Sequence, residues 1–234
     1  MSKLQHKLLA MIMGGLLLVS MLVVGREAAR SVLGTKVEKR NGPCVVIDAG
    51  HGGADPGKIG INKAEEKDLN LEIALLLQEY LEAEGVEAVM TRSTKEGLYD
   101  ADASNKKVQD MKRRITLIEE TKPDITVSIH QNSYPEEYVH GAQVFYYDGS
   151  SQGQKLAELI QNQLIKKADP ENTRRIKSND SYYLLKKTEV PIVIVECGFL
   201  SNRQEAEKLC DEDYQKRIAW AICMGILQYL STIS

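Results

Sequence analysis

The sequence predicts an α/β fold with a mixed, mostly parallel sheet flanked by helices. Short apolar runs typical of strands alternate with longer segments of helical periodicity, and glycine or proline residues separate many of them. Residues 192–195 are apolar at every position, as in strands whose two faces are both buried. In chain order, we predict strands at residues 44–48, 86–91, 125–129, 142–147 and 191–196.

Five helices are expected between and after these strands. The first is predicted to begin near Asn62, which resembles a capping box with Glu65, and to end at Gly85. The second should end before Pro123, because proline does not continue a helix. The helices are placed at residues 62–84, 104–121, 154–167, 204–209 and 214–230.

The N-terminal part of the chain differs in composition from the rest. Residues 8–25 contain no charged residue, and Lys3 and Lys7 precede them. Such a run indicates an export signal, and it is just long enough to span a bilayer. We predict an uncleaved anchor that holds the protein at the extracytoplasmic face of a membrane, with cleavage after Gly25 as the alternative. The predicted organisation is a membrane segment at residues 1–25, a linker at 26–42 and one folded domain at 43–234.

Charge and cysteine content exclude several classes of protein. The chain has 30 Lys and Arg against 33 Asp and Glu, and this balance argues against a nucleic-acid-binding protein. With 43% hydrophobic and 27% charged residues, the chain is not disordered throughout. No Cys-x-x-Cys spacing is present, so a zinc ribbon or thioredoxin motif is excluded. The four cysteines are expected to be mostly small buried residues: Cys44, Cys197, Cys210 and Cys223.

Residues that can do chemistry stand at the ends of three predicted strands. His51 lies among glycines after the first strand, His130 follows the third, and Glu196 ends the fifth. Open α/β sheets place their ligand sites at such strand ends, and two histidines with a carboxylate form a common catalytic zinc set. A structural alternative stays open, in which Glu196 is paired with a basic side chain such as Arg92 or Arg175.

If Glu196 transfers protons, another residue must supply the carboxylate ligand, and Glu66 is the best candidate. Helical spacing puts Glu66 on the inward face with Asn70 and Ile73, whereas Glu65 lies on a more exposed face. Spacing alone is a weak indication, because the chain has no compact zinc motif such as His-Glu-x-x-His. Each histidine, taken alone, would more often be an ordinary turn residue.

Five motifs occur in order, at residues 47–57, 66–71, 91–92, 128–132 and 195–202. They include Asp-Ala-Gly-His-Gly-Gly around His51, Ser-Ile-His-Gln-Asn around His130 and Val-Glu-Cys-Gly-Phe around Glu196. Together they resemble the zinc-dependent N-acetylmuramoyl-L-alanine amidases of the amidase type 3 family. The resemblance covers residues 44–230, so residues 43–234 are the expected catalytic domain.

The resemblance implies a six-stranded sheet, one zinc ion and a defined reaction. That reaction is hydrolysis of the amide between the lactyl group of N-acetylmuramic acid and L-alanine in peptidoglycan. Position by position, His51, Glu66 and His130 fall on the metal ligands of the family, and Glu196 falls on its catalytic glutamate.

Three further positions are candidates with less specific roles. Arg114 falls on a recurring arginine, for which we expect a structural or substrate-binding role. Arg175 falls near a basic position suited to a peptide carboxylate, and Asn132, at the end of the His130 motif, is a second candidate for substrate binding.

Residues 141–146 and 183–186 point to a subgroup. They resemble the spore-cortex, germination-specific amidases of endospore-forming bacteria, which act with a deacetylase to form muramic-δ-lactam. The expected partners are therefore peptidoglycan, a membrane through the N-terminal anchor and, as an open option, an activating protein. Two alternatives remain: a zinc peptidase that cuts within the stem peptide, and a non-catalytic wall-binding protein.

Overall fold

The structure, a computed structural model, describes residues 42–233. The predicted membrane segment at residues 1–25 and nearly all of the predicted linker lie outside the described residues. Within residues 42–233, no helix has both the length and the apolar character needed to cross a membrane.

A six-stranded mixed sheet forms the centre of the domain, in the order β2-β1-β3-β6-β4-β5. Only β4 and β6 pair antiparallel, and the other four neighbouring pairs are parallel. This arrangement confirms the predicted mixed, mostly parallel sheet. The strands are β1 (Cys44–Ala49), β2 (Glu87–Met90), β3 (Ile125–Asn132), β4 (Gln143–Tyr147), β5 (Lys177–Asn179) and β6 (Ile192–Phe199).

Six α-helices flank the sheet in the described part of the chain. Four of them begin at a residue whose side chain accepts a backbone hydrogen bond, which satisfies an otherwise unpaired N–H group: Asn105, Ser150, Asn202 and Asp211. The helices are α1 (Glu66–Ala83), α2 (Lys106–Thr121), α3 (Ser151–Gln163, continued by a π-helical turn at Leu164–Ala168), α4 (Tyr183–Lys187), α5 (Arg203–Leu209) and α6 (Glu212–Leu230).

The two faces of the sheet are covered unequally. Alternate residues such as Val45 and Ile47 face the larger core, which they share with α1, α3 and α6. Val46 and Ile194 face a smaller core against α2 and α4. Because side chains alternate along a strand, Asp48, Ser128, His130 and Glu196 lie on the same face as this smaller core. The α2–α4 side of the sheet therefore carries the polar groups singled out in the sequence.

Two strands extend further than predicted. The predicted β3 stops at residue 129 and the predicted β6 at residue 196, but the two strands stay paired to Asn132 and Phe199. A register shift between His130 and Asn132 lets the ladder continue. His130 and Glu196 consequently lie inside the strands, directly opposite each other.

The predicted capping box at Asn62 is wrong. Helix α1 begins at Glu66, and its N-cap residue is Glu65. The Asn62 amide nitrogen instead donates to the Ala206 carbonyl at 2.7 Å, which ties the loop before α1 to α5. The Asn62 side-chain oxygen, which would act as the cap, accepts a hydrogen bond from the Ala64 backbone N–H at 3.2 Å.

The sequence did not predict β5 or α4, which are only three and five residues long. Such short elements have no periodicity to detect, and β5 owes its conformation to pairing with the edge of β4. Of the cysteines, Cys44, Cys197 and Cys223 are buried as expected, whereas Cys210 is exposed.

Candidate metal and catalytic site

The three predicted metal ligands meet at one end of the sheet. His51 follows β1, Glu66 is the first residue of α1, and His130 lies in β3. One ligand atom from each residue lies within 4.8 Å of the others. The Glu66 Oε1 atom is 3.2 Å from His51 Nε2 and 2.9 Å from His130 Nδ1. The structure thus forms a candidate metal site from residues that are distant in sequence.

The Glu66 carboxylate is buried and held from several sides. Its Oε2 atom accepts a hydrogen bond from the Lys58 backbone N–H at 2.7 Å, and Oε1 accepts one from the Gln131 backbone N–H at 3.1 Å. Burial alone would raise the pKa of Glu66, but the hydrogen bonds and charges of His130 and His51 outweigh it and hold this pKa well below its ordinary value. The side chain is therefore an ionised carboxylate, the form that a metal ligand requires.

The neighbouring Glu65 has the opposite environment. Its side chain is 40% exposed and pairs with Lys67 at 2.8 Å, whereas only 2% of Glu66 is exposed. The assignment of Glu66 to the inward face of the helix is confirmed.

Two glycines make room for the candidate ligands. A Cβ atom at Gly50 would lie 2.3 Å from the His130 ring, so the ring occupies the space that any side chain here would need. At Gly57, which has a φ of +69°, a Cβ atom would lie 2.5 Å from Glu66 Oε2. The glycine-rich motif around His51 thus serves close packing of the ligand cluster.

The orientation of His51 is fixed through its second ring nitrogen. Its Nδ1 atom lies 3.0 Å from Asp55 Oδ2, which leaves Nε2 directed at Glu66. A carboxylate in this position is the usual partner that sets the tautomer and ring orientation of a metal-binding histidine. Asp55 follows His51 by four residues, and no role was predicted for it from the sequence.

Glu196 lies beside this cluster, opposite His130 in β3 and Gln143 in β4. It is 6% exposed, and burial together with the charge of Glu66 raises its pKa against the opposing effect of His130. Its Oε2 atom has no hydrogen-bond partner among the residues that the structure describes. A buried carboxylate oxygen without a partner is costly and marks a candidate for proton transfer.

A cavity of about 130 Å³ opens in front of the cluster and Glu196. Its wall is mixed, with the polar cluster on one side and apolar side chains from α2, α4 and β6 on the other. The lining includes His51, His130, Glu196, Lys107, Met111, Tyr182, Leu184 and Ile194. A substrate group placed here would contact both the candidate ligands and the Glu196 carboxylate.

The sequence profile of the N-acetylmuramoyl-L-alanine amidase family matches residues 45–228. This chain belongs to the N-acetylmuramoyl-L-alanine amidase family. It is 35% identical over 194 residues to the germination-specific N-acetylmuramoyl-L-alanine amidase of Bacillus subtilis (strain 168), covering 82% of this chain and 81% of the relative.

Solved structures of related amidases agree with the fold. The CwlD amidase from Clostridioides difficile, in complex with the GerS lipoprotein, has a TM-score of 0.79 and 39% identity, covering 81% of this chain and 99% of that one. The catalytic domain of CwlV from Bacillus (Paenibacillus) polymyxa var. colistinus has a TM-score of 0.68 and 34% identity, covering 81% and 98%.

Arg114 holds the end of β1 in this amidase. It is buried, and its guanidinium donates to Asp48 at 2.6 Å, to Asp110 at 2.5 Å and to the His51 carbonyl at 2.6 Å. Burial alone would raise the pKa of Asp48, but Arg114 and Ser128 hold it at about 2. Of the two roles expected for Arg114, these contacts support the structural one.

Arg92 supports the same loop from the other side. Its Nε atom donates to the Ala49 carbonyl at 2.9 Å, and its NH2 group donates to the Gly50 carbonyl at 3.0 Å. Each carbonyl from Ala49 to His51 therefore accepts a hydrogen bond from a buried arginine. The alternative in which Arg92 pairs with Glu196 is wrong, since Arg92 is occupied by backbone carbonyls.

Replacing Arg114 with lysine should lower the free energy of unfolding by about 2 kcal/mol, because lysine leaves buried acceptors of this network without donors. The midpoint of urea unfolding measures the change. The matched control is Arg113→Lys, because Arg113 is exposed and pairs with Asp100 at the surface. Surface pairs contribute about 0–1 kcal/mol. Equal effects of the two substitutions would contradict the structural role of Arg114.

The structure places the two candidate substrate residues at the end of β3 and at the surface. Asn132 ends β3, and its side-chain oxygen accepts a hydrogen bond from the Ser133 backbone N–H. Arg175 is exposed and borders a separate surface hollow with His140 and Gln143. Neither residue lines the cavity described above, and Arg175 forms no ion pair with Glu196 among the described residues. Their roles in substrate binding stay predictions.

Proposed function

We propose that this amidase uses a zinc ion to hydrolyse the amide between the lactyl group of N-acetylmuramic acid and L-alanine, and that its substrate is spore-cortex peptidoglycan. The observation that carries the proposal is the His51-Glu66-His130 cluster beside the unpartnered carboxylate oxygen of Glu196. Membership in the N-acetylmuramoyl-L-alanine amidase family supports the assignment of the bond that is cut.

The donor set of the cluster fits zinc. Two imidazole nitrogens and one carboxylate oxygen are the protein ligands of a common class of catalytic zinc sites, in which a further position is left to water or substrate. The open cavity next to His51 and His130 provides space for that position. Bound zinc would supply an activated water molecule and polarise the scissile carbonyl group.

Glu196 supplies the proton transfers. Its carboxylate lines the cavity together with His51 and His130, and its unpartnered oxygen can accept the proton of the attacking water. The same carboxyl group then returns this proton to the leaving amine of L-alanine. Burial raises the pKa of Glu196, which makes it a stronger base than an exposed carboxylate.

Two relatives support the spore-cortex substrate. One is named a germination-specific amidase, and the other, CwlD, was solved in complex with the GerS lipoprotein. We extend both features to this chain as proposals: a role in germination, and binding of a protein partner of the lipoprotein class, which we propose to be an activator. The alternative of a non-catalytic wall-binding protein is disfavoured, because every expected catalytic position is filled and the positions converge in space.

Mass spectrometry of digested peptidoglycan tests the reaction. The purified amidase should release peptides that begin with a free L-alanine amine and leave muramic acid with a lactyl carboxylate, and a chelator should abolish this release. A peptidase acting within the stem peptide would leave L-alanine attached to muramic acid. Release should be faster from cortex than from vegetative peptidoglycan at equal substrate concentration, and equal rates would contradict the spore-cortex proposal.

Residues 8–25 support a proposal about location. We propose that this apolar segment anchors the amidase at the extracytoplasmic face of a membrane. The full chain should sediment with membranes at its native size, and a truncated chain that begins at Gly42 should stay in the supernatant and retain zinc. Full-length protein in the supernatant at its native size would refute the anchor.

A further inference from the structure

The two carboxylate oxygens of Glu196 have different surroundings. The Oε1 atom lies 3.3 Å from the Tyr182 hydroxyl, which can donate a hydrogen bond to it. The Oε2 atom has no partner among residues 42–233. Tyr182 therefore distinguishes the two oxygens of a carboxylate that would otherwise be symmetric.

The Tyr182 side chain is itself held in place. Its backbone N–H donates to Asn179 Oδ1 at 2.8 Å, and the same oxygen accepts hydrogen bonds from the backbone N–H and hydroxyl of Ser181. Its ring packs edge-on against Phe145, with the centroids 5.6 Å apart and the planes at 83°. The connection from β5 to α4 thus fixes where the hydroxyl lies before a substrate arrives.

We propose that Tyr182 is a positioning residue for Glu196, whose Oε1 atom it holds so that the carboxylate keeps one orientation for proton transfer. This inference rests on the proposed role of Glu196 in amide hydrolysis. The terminal torsion of a glutamate is broad, so a carboxylate without such a hydrogen bond samples many orientations. Holding a proton acceptor in one orientation increases the fraction of molecules in reactive geometry.

The charge state of Tyr182 suits this role. Burial and the adjacent charge of Glu196 raise the pKa of Tyr182, so its hydroxyl remains protonated at neutral pH and donates the hydrogen bond. Tyr182 and Glu196 both line the cavity, so the hydrogen bond between them lies at its wall.

The test is the substitution Tyr182→Phe, which keeps the ring and removes only the hydroxyl. We expect kcat for release of L-alanine peptides to fall about tenfold, which is part of the roughly 10²–10⁴-fold that general acid–base catalysis contributes. KM, zinc content and the unfolding midpoint should stay unchanged, because substrate binding, ligands and packing are intact. A decrease in zinc content or in the unfolding midpoint would overturn the proposal.

Tyr147→Phe is the matched control. Tyr147 is also partly buried, packs against the same smaller core as Tyr182, and pairs with Asn179 between β4 and β5. It does not line the cavity, so its substitution should leave kcat within about twofold of wild type, as expected of a change that removes no catalytic contact. An equal loss in both variants would overturn the specific role of Tyr182.

A double-mutant cycle separates positioning from a general structural effect. In a Glu196→Gln background, Tyr182→Phe should cause no further loss of kcat, because the base that it positions is already absent. An equal fold-loss in both backgrounds would overturn the proposal. Full activity of Tyr182→Phe would refute the positioning role of Tyr182, but it would not contradict the proposed amide hydrolysis. A wild-type enzyme that releases no L-alanine peptide would instead refute the proposed function.

Discussion

Replacing Glu196 with glutamine should lower amide hydrolysis at least about a hundredfold, the low end of what a general acid–base group contributes. Glutamine keeps the shape of the side chain and an oxygen that can accept the Tyr182 hydrogen bond. It removes the ionisable oxygen that would take the proton of water. The rate of release of L-alanine peptides from peptidoglycan measures the effect.

Zinc content and stability distinguish this loss from a structural one. The Glu196→Gln variant should bind zinc normally and unfold at the same urea concentration as wild type. Glu205→Gln is the matched control, because Glu205 is also buried but accepts hydrogen bonds from the Gly141 and Phe199 backbone N–H groups. It should lower stability and leave kcat per folded molecule unchanged.

Retained hydrolysis in Glu196→Gln would remove this residue from the mechanism. Lost zinc would instead make Glu196 a metal ligand and reopen the assignment of Glu66. Each outcome is visible from two measurements on one variant, namely the hydrolysis rate and the zinc content per chain.

Replacing Glu66 with alanine should weaken zinc binding by more than about a hundredfold. Loss of a residue that only orients a metal ligand already costs up to about a hundredfold, and Glu66 is itself a proposed ligand. The substitution removes the one carboxylate that lies within reach of both His51 Nε2 and His130 Nδ1 in the described cluster. Elemental analysis after gel filtration measures zinc per chain, for which we expect a single ion in the wild type.

The adjacent glutamate provides the control for this experiment. Glu65→Ala should bind zinc as the wild type does, since the Glu65 side chain is directed at Lys67 and solvent. Circular dichroism should show that both variants are folded. Undiminished zinc in a folded Glu66→Ala protein would contradict the ligand assignment, and equal losses in both variants would contradict the helical-face argument.

The sequence by itself determined the fold class and most of the candidate site. Apolar runs such as residues 192–195 identify buried strands from composition alone, because solvent exposure of such runs is unfavourable. Helical periodicity was sufficient to separate Glu66 from Glu65, since neighbouring positions on a helix face different directions. The histidines stood out because glycines or strand ends surround them, and ligand sites in open sheets form at strand ends.

Only the tertiary structure decided how these parts act together. His130 lies opposite Glu196 because β3 and β6 pair in parallel, and local propensity does not encode which strands become neighbours. Tyr182 reaches Glu196 because β5 and α4, too short to show periodicity, are held by the edge of β4 and by Phe145. Asn62 was assigned to a local cap but binds Ala206. In each case the deciding contact joins residues distant in sequence, and its energy exists only after the chain has folded.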